Sequence, residues 1–425
     1  MSIHLTPIRW WMFIFLAVII TACGTRSESW PGISASDDNT AIFAAYKRTV
    51  VSLNPDQTRN WAYNGENDTS FYATPTFIDG IVYVGDFKGR IHAIDAESGE
   101  RLWMYEPERT QFLFFELGRN DRIIGQVTIG EDTLFAGDEY GVFALDMSET
   151  PPNTLWEFET KHAVWSRPLY ISQTSVENEL CPNVRTDWDI DWNIDPTLFV
   201  VSLDQHIYAL DPDSGDLRWS LDLDGGIAGN LTLDCLRQRI YVGTMNQQVL
   251  AIDIKQQKVI DRFETEGWVW GGPVIYETGD PDDPYRIYFS DLAGYVYEVS
   301  LTEDGFGERA FKRRLSNEPL RATPLIVETL DGESVLVVGS EDQRVYAINL
   351  TPSPSGVADN REDLRWVREI DGRALANLTW VDHQTEEGEI ERLIITGTDS
   401  DNQMVVALRL EDGGRVEWAY KYEND

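Results

Sequence analysis

Short apolar runs broken by Gly and Asp recur along the chain, and their spacing predicts strands rather than helices. The clearest copy holds Ala73, Thr74 and Pro75, turns at Asp79 and Gly80, and continues through Ile81, Val82, Tyr83, Val84, Gly85 and Asp86. It then reads Gly89, His92, Ala93, Ile94, Asp95, Gly99 and Trp103. β-Branched and aromatic runs favour strands, while Asp and Gly supply the side-chain caps and positive φ that tight turns demand. One copy therefore reads as four antiparallel strands, the last holding the tryptophan.

The unit repeats. Its terminal aromatic falls at Trp61, Trp103, Trp156, Trp219, Phe263, Phe311, Trp366 and Trp418, with spacings from 42 (Trp61 to Trp103) to 63 (Trp156 to Trp219) residues. Four strands with their turns take about 40 to 50 residues in propeller repeats, so the excess marks insertions. The reading is all-β: a single eight-bladed β-propeller of four-stranded antiparallel blades over residues 30–425. The terminal aromatics are expected to pack between neighbouring blades.

Tyr83-Val84-Gly85-Asp86 with Ala93-Ile94-Asp95, Gly99 and Trp103 resembles the PQQ-like propeller repeat family, over essentially all of the chain after its N-terminus. Within that family, an N-terminal lipid anchor, about eight blades and no added domain resemble the BamB-like lipoproteins, scaffolds of outer-membrane β-barrel assembly. The resemblance implies a non-enzymatic, extracytoplasmic scaffold that acts by protein–protein contact. It also admits a ligand-binding or PQQ-dependent quinoprotein enzyme using the channel mouth. Such enzymes carry two adjacent cysteines and a set of carboxylates and amides holding calcium beside the quinone. The three cysteines here, Cys23, Cys181 and Cys235, are far apart, so no catalytic or cofactor-binding residue is assigned and no cofactor is expected.

The lipid anchor is read from the N-terminus. Arg9 precedes an apolar run from Trp10 to Ile20, followed by Thr21, Ala22, Cys23 and Gly24. That run is short for a membrane span, which needs about 20 apolar residues. It reads as an export signal over 1–22, with Cys23 as the acylated residue of a lipobox and 23–29 as a lipidated tether. The expected location is the cell envelope, periplasmic or extracellular face. Export permits a disulfide, and Cys181 and Cys235 fall on the same kind of loop in consecutive repeats. Two unpaired thiols remain the alternative.

With 35 Lys and Arg against 72 Asp and Glu, the net charge is -37. Such a surface repels nucleic acid, leaving a membrane-associated protein complex or a client protein as the expected partner, met by a monomer within a larger assembly. The five histidines are scattered singly, which excludes a zinc-ligand spacing. His92 and His206 are read as equivalent third-strand positions with packing roles. Asp187, Asp189, Asp191, Asn193 and Asp195 alternate with apolar residues, which places five oxygen side chains on one face of a strand. They form a calcium candidate, although Trp192 and Leu198 stand where a calcium loop of the EF-hand kind needs Gly and Glu. An acid-edged outer strand explains the run as well.

Topology sorts the connections. Turns between second and third strands and the links between blades share one face of a propeller. That face holds Phe112, Leu113, Phe114 and Phe115 in a linking loop, and an expected collar of acids at Asp86, Asp138, Asp204, Asp291, Asp342 and Asp401. Aligning the inner strands on Pro75, Pro168, Pro273 and Pro324 puts Tyr72, Trp165, Trp270 and Arg321 three residues earlier. These four are expected to ring the mouth of the central channel, as a surface for a peptide, a partner loop or a small ligand, or as aromatics that merely plug the channel.

Overall fold

The computed structural model describes residues 31–107, 111–112, 115–116, 122–173, 195–350, 364–385 and 387–423. Among them are eight four-stranded antiparallel sheets, each built from four consecutive strands. The blades run Gly32–Asn64, Thr76–Tyr105, Thr128–Glu159, Leu169–Asp222, Thr232–Glu264, Val274–Arg314, Leu325–Glu369 and Thr379–Tyr420. The protein is an eight-bladed β-propeller.

Burial follows from that geometry. Second and third strands are covered on both faces by neighbouring blades and so read as near-continuous apolar runs. Thr197–Val201 is buried at every position, whereas the outer strand Asn153–Glu159 alternates between exposed and half-buried. The core is correspondingly a series of clusters between blades. One joins Tyr83, Ala93, Ile123, Val127 and Leu134 across the second and third blades.

The terminal tryptophans lock blade to blade. Trp61 Nε1 donates to the Ala96 carbonyl (2.8 Å), Trp156 to Pro212 (2.9 Å) and Trp366 to Leu410 (3.0 Å), each time in the third-to-fourth-strand turn of the next blade. A glycine at φ +74° lets that turn lie flat on the indole: a Cβ at Gly99 would come 2.6 Å from Trp61, and one at Gly215 2.6 Å from Trp156. In seven blades the register shifts just after the third-strand Ala or Ser opposite this column, leaving one extra residue on the outer strand. Such a bulge bends the strand and re-aims its side chains.

That register corrects one reading. In the fifth blade Asp261, not Phe263, lies opposite Ala251, and Phe263 pairs with Val249. Phe263 still packs between blades, 5.6 Å from Phe289, but it is two residues out of the tryptophan column.

No strand is exchanged at closure; the first and last blades meet through side chains. Ile42, Leu53, Ile395 and Trp418 share one buried cluster. Lys47 Nζ lies 2.6 Å from Asp401 Oδ1, to which Tyr46 also donates at 3.0 Å.

The expected acidic collar is corrected at three of its six positions, while Asp138 and Asp342 are partly buried and Asp401 is exposed. Asp86 and Asp291 are fully buried and Asp204 is 8% exposed. Their carboxylates cap their own turns: Asp86 Oδ1 accepts from the Lys88 and Arg90 backbone N–H at 2.8 and 3.0 Å, and Asp291 Oδ1 from Ala293 at 3.0 Å. The other oxygen meets a third-strand side chain. Tyr208 donates to Asp204 (2.7 Å), Tyr297 to Asp291 (2.7 Å) and Tyr346 to Asp342 (2.5 Å), while His92 Nε2 lies 3.2 Å from Asp86. Burial and the acceptor carboxylate push the Tyr346 phenol up to about 12. His92 and His206 are not equivalent: His92 pairs with Val84 and Tyr208 with Val200, so Tyr208 holds the position of His92 and His206 lies two residues before it.

Candidate functional site

Each first strand is entered through three residues at the channel wall. Counting back from the proline column, the middle residue is always small: Ala73, Gly125, Ser166, Gly229, Gly271, Ala322 and Ala376. The neighbouring backbone requires it, since a Cβ on Gly229 would lie 2.4 Å from the Trp270 carbonyl oxygen and one on Gly125 2.7 Å from that of Ser166. The blades can converge this closely only over small side chains.

Below that ring, hydrogen bonds run from blade to blade. Asn230 Oδ1 accepts the Arg167 backbone N–H (2.8 Å), Thr323 Oγ1 that of Gly272 (2.9 Å), and Asn377 Oδ1 that of Thr323 (3.0 Å). One step further in, Thr76 donates to the Val127 carbonyl (3.2 Å), Thr128 to Pro168 (2.5 Å) and Thr232 to Pro273 (2.5 Å). These bonds satisfy main-chain groups that the first strands leave unpaired at their inner edge.

Above the ring, the residues three before the proline column converge. Tyr72, Trp165, Trp270 and Arg321 all line one cavity of about 270 Å³ at the channel mouth. Ala228, the equivalent residue of the blade between the two tryptophans, leaves room for their rings to approach to 6.2 Å. The Arg321 guanidinium lies 4.6 Å above the Trp270 ring and is held by Glu341 Oε1 at 3.0 and 2.7 Å. Tyr72 stacks on Phe87 at 3.9 Å. Sequence alignment on the proline column located the four rim residues but missed Phe87 and Glu341, which come from second-to-third-strand turns of variable length. It also missed Asn230 and Asn377, which stand one residue before the column.

The remaining expected sites are placed as follows. Phe112 and Phe115 oppose each other in a two-residue antiparallel hairpin rather than a plain loop, and Phe114 lies outside the described residues. Cys235 is disulfide-bonded, and Cys23 and Cys181, the other two cysteines of the chain, both lie outside the described residues. Of the calcium candidates, Asp187, Asp189, Asp191 and Asn193 lie outside them as well, and Asp195 is exposed with its carbonyl accepting from Thr197 at 2.7 Å. Among the described residues no group of three His, Cys, Asp or Glu is placed to hold a metal.

The family profile described as Outer membrane protein assembly factor BamB matches residues 27–180 and 153–351. The chain belongs to this family. BamB of Moraxella catarrhalis has a similar fold, with a TM-score of 0.60 at 16% identity over 88% of this chain and 94% of that one. A europium-containing methanol dehydrogenase also shares the fold, at TM-score 0.55 and 12% identity over 84% of this chain and 81% of its own. Among curated proteins, a quinohemoprotein alcohol dehydrogenase of Comamonas testosteroni is 33% identical over 89 residues, 21% of this chain and only 12% of that enzyme.

The relatives' quinone raises the question of fit. A quinone–calcium pair needs carboxylate ligands for the metal and free cations for an anionic cofactor. Among the described residues, the lining of the channel mouth contains no Asp or Glu, and its charged side chain, Arg321, is already paired with Glu341. The residues present do not fit that group.

Proposed function

We propose that this member of the BamB family is a non-catalytic scaffold, lipid-anchored through Cys23 at the cell envelope, that docks a protein partner in outer-membrane protein assembly. The observation that carries the reading is the channel mouth: an arc of Trp165, Trp270 and Arg321 with no Asp, Glu, His or Cys in its lining among the described residues. Large amphipathic aromatics and arginine are the side chains that dominate protein contacts. The strand pair that sets Phe112 opposite Phe115 lies, like the rim residues, in a link between consecutive blades.

Mild crosslinking of the acylated protein in its own membranes, followed by identification of the captured chains, tests the reading. Barrel-assembly components should be recovered, and a Cys23→Ser variant should leave the membrane fraction. Recovery of no assembly component removes the specific role. The quinoprotein reading rests on the local match to the alcohol dehydrogenase, and dye reduction by the purified chain with added quinone, calcium and alcohols tests it; sustained turnover would replace the scaffold reading.

A further inference from the structure

The channel mouth has more chemistry than a docking surface requires. Trp165 lines it with its ring, its Nε1 being turned away from the open space and without a hydrogen-bond partner. Asn230 and Asn377 spend their Oδ1 atoms on the next blade's main chain. Those bonds fix the flip of each carboxamide, and neither Nδ2 donates to an acceptor among the described residues. Gln126 adds a carboxamide whose Oε1 is likewise unused, its Nε2 lying 3.4 Å from the Pro75 carbonyl. The cavity thus presents two free carboxamide donors and an acceptor beside the Trp165 indole.

Charge narrows the occupant. An aromatic cage for a cation is opposed by the guanidinium that already covers Trp270 at 4.6 Å. An anion finds no free positive charge, because Glu341 holds Arg321 through two contacts at 3.0 and 2.7 Å. The ligand is neutral, with an apolar ring face for the Trp165 indole and oxygen atoms around its edge for the donors. The volume of about 270 Å³ lies just below the ~300–1,000 Å³ of sites for drug-sized ligands, which fits one six-membered ring. We propose that the channel mouth binds a single neutral pyranose unit, alone or at the end of a glycan, with its carbon–hydrogen face on Trp165 and its hydroxyls bonded to Asn230, Asn377 and Gln126.

This inference does not depend on the assembly partner, and its test uses the purified full chain without membranes, so the two readings fail separately. Tryptophan fluorescence and calorimetric titration are followed with methyl glucopyranoside, N-acetylglucosamine and maltose, with choline and glucuronate as charged counterparts. At least one neutral sugar should give a saturable signal, with both charged probes at least about tenfold weaker. Asn377→Asp keeps the oxygen that accepts from Thr323 but loses the Nδ2 donor. Trp165→Ala removes the ring face on which the sugar stacks. Each should weaken sugar binding about tenfold, with thermal unfolding reporting that the fold is retained. No saturable signal from any neutral sugar, equal binding of choline or glucuronate, or unchanged affinity in both variants would overturn the assignment.

Discussion

The Trp418 indole N–H donates to the Pro55 carbonyl at 2.7 Å, so the last blade grips the first by the same contact that Trp61, Trp156 and Trp366 make along the chain. Closure is therefore one more copy of the inter-blade contact, reinforced by Lys47 and Asp401. Trp418→Phe should cost about 1 kcal/mol through the lost hydrogen bond, and Trp418→Ala about 3–5 kcal/mol through the cavity as well. Trp219→Phe, whose indole N–H makes no such bond, should cost less than either. Urea unfolding of the three variants checks the order.

The glycine beneath Trp61 gives a sharper contrast. Gly99 sits at φ +74° with Trp61 where a Cβ would go, whereas Gly80 sits at φ +77° over open space. Gly80→Ala meets only the backbone penalty, about 1 kcal/mol. Gly99→Ala adds overpacking of about 1–3 kcal/mol and should also disturb Trp61. Thermal unfolding with tryptophan fluorescence should show a larger loss and a shifted emission for Gly99→Ala alone.

Much of this was legible in the sequence, and the reason is repetition. The columns at Trp103, Gly99 and Pro75 recur because each blade meets its neighbour in the same way, so the propeller and the rim at Tyr72, Trp165, Trp270 and Arg321 followed from spacing. Phe263 was misplaced because a bulge changes which outer-strand residue faces Ala251, and aromatic identity does not report register. The acids at Asp86 and Asp291 read as a collar in the sequence because turn propensity explains an aspartate without saying whether it is covered. The sign of burial was in the third strand, in His92 and Tyr297, which take up the second carboxylate oxygen. Glu341 gave no signal, since its pairing with Arg321 joins turns and links of unequal length.

Asp86 sets a pH dependence. Burial pushes its carboxyl up, but His92, Arg90 and the Lys88 backbone N–H outweigh burial and hold it below the usual carboxylate range. A folded-state value below the unfolded one, about 3.9, gives stability that is complete above that value and lost as pH falls through the folded one. Asp86→Asn should therefore flatten the acid limb of the stability profile below about pH 4. It should also cost about 1–3 kcal/mol at neutral pH, because the buried Arg90 loses its 2.7 Å ion pair while keeping Asp68 at 3.1 Å and Thr69 at 2.8 Å. Urea midpoints measured from acid to neutral pH separate the two effects.

Asn377 belongs both to the wall and to the fold, and two substitutions divide the roles. Its Oδ1 takes the Thr323 backbone N–H at 3.0 Å, in the chain of contacts that also runs from Gly272 to Thr323. Asn377→Leu removes the acceptor and strands that N–H at the blade junction, which should cost about 1–3 kcal/mol. Asn377→Asp retains an oxygen there and should cost well under half as much, with the carboxylate gaining from the donor it faces. If the side chain served only the cavity, the two variants would unfold at the same urea concentration. A higher midpoint for Asn377→Asp than for Asn377→Leu shows that the inter-blade belt, and through it the shape of the mouth, depends on this one acceptor.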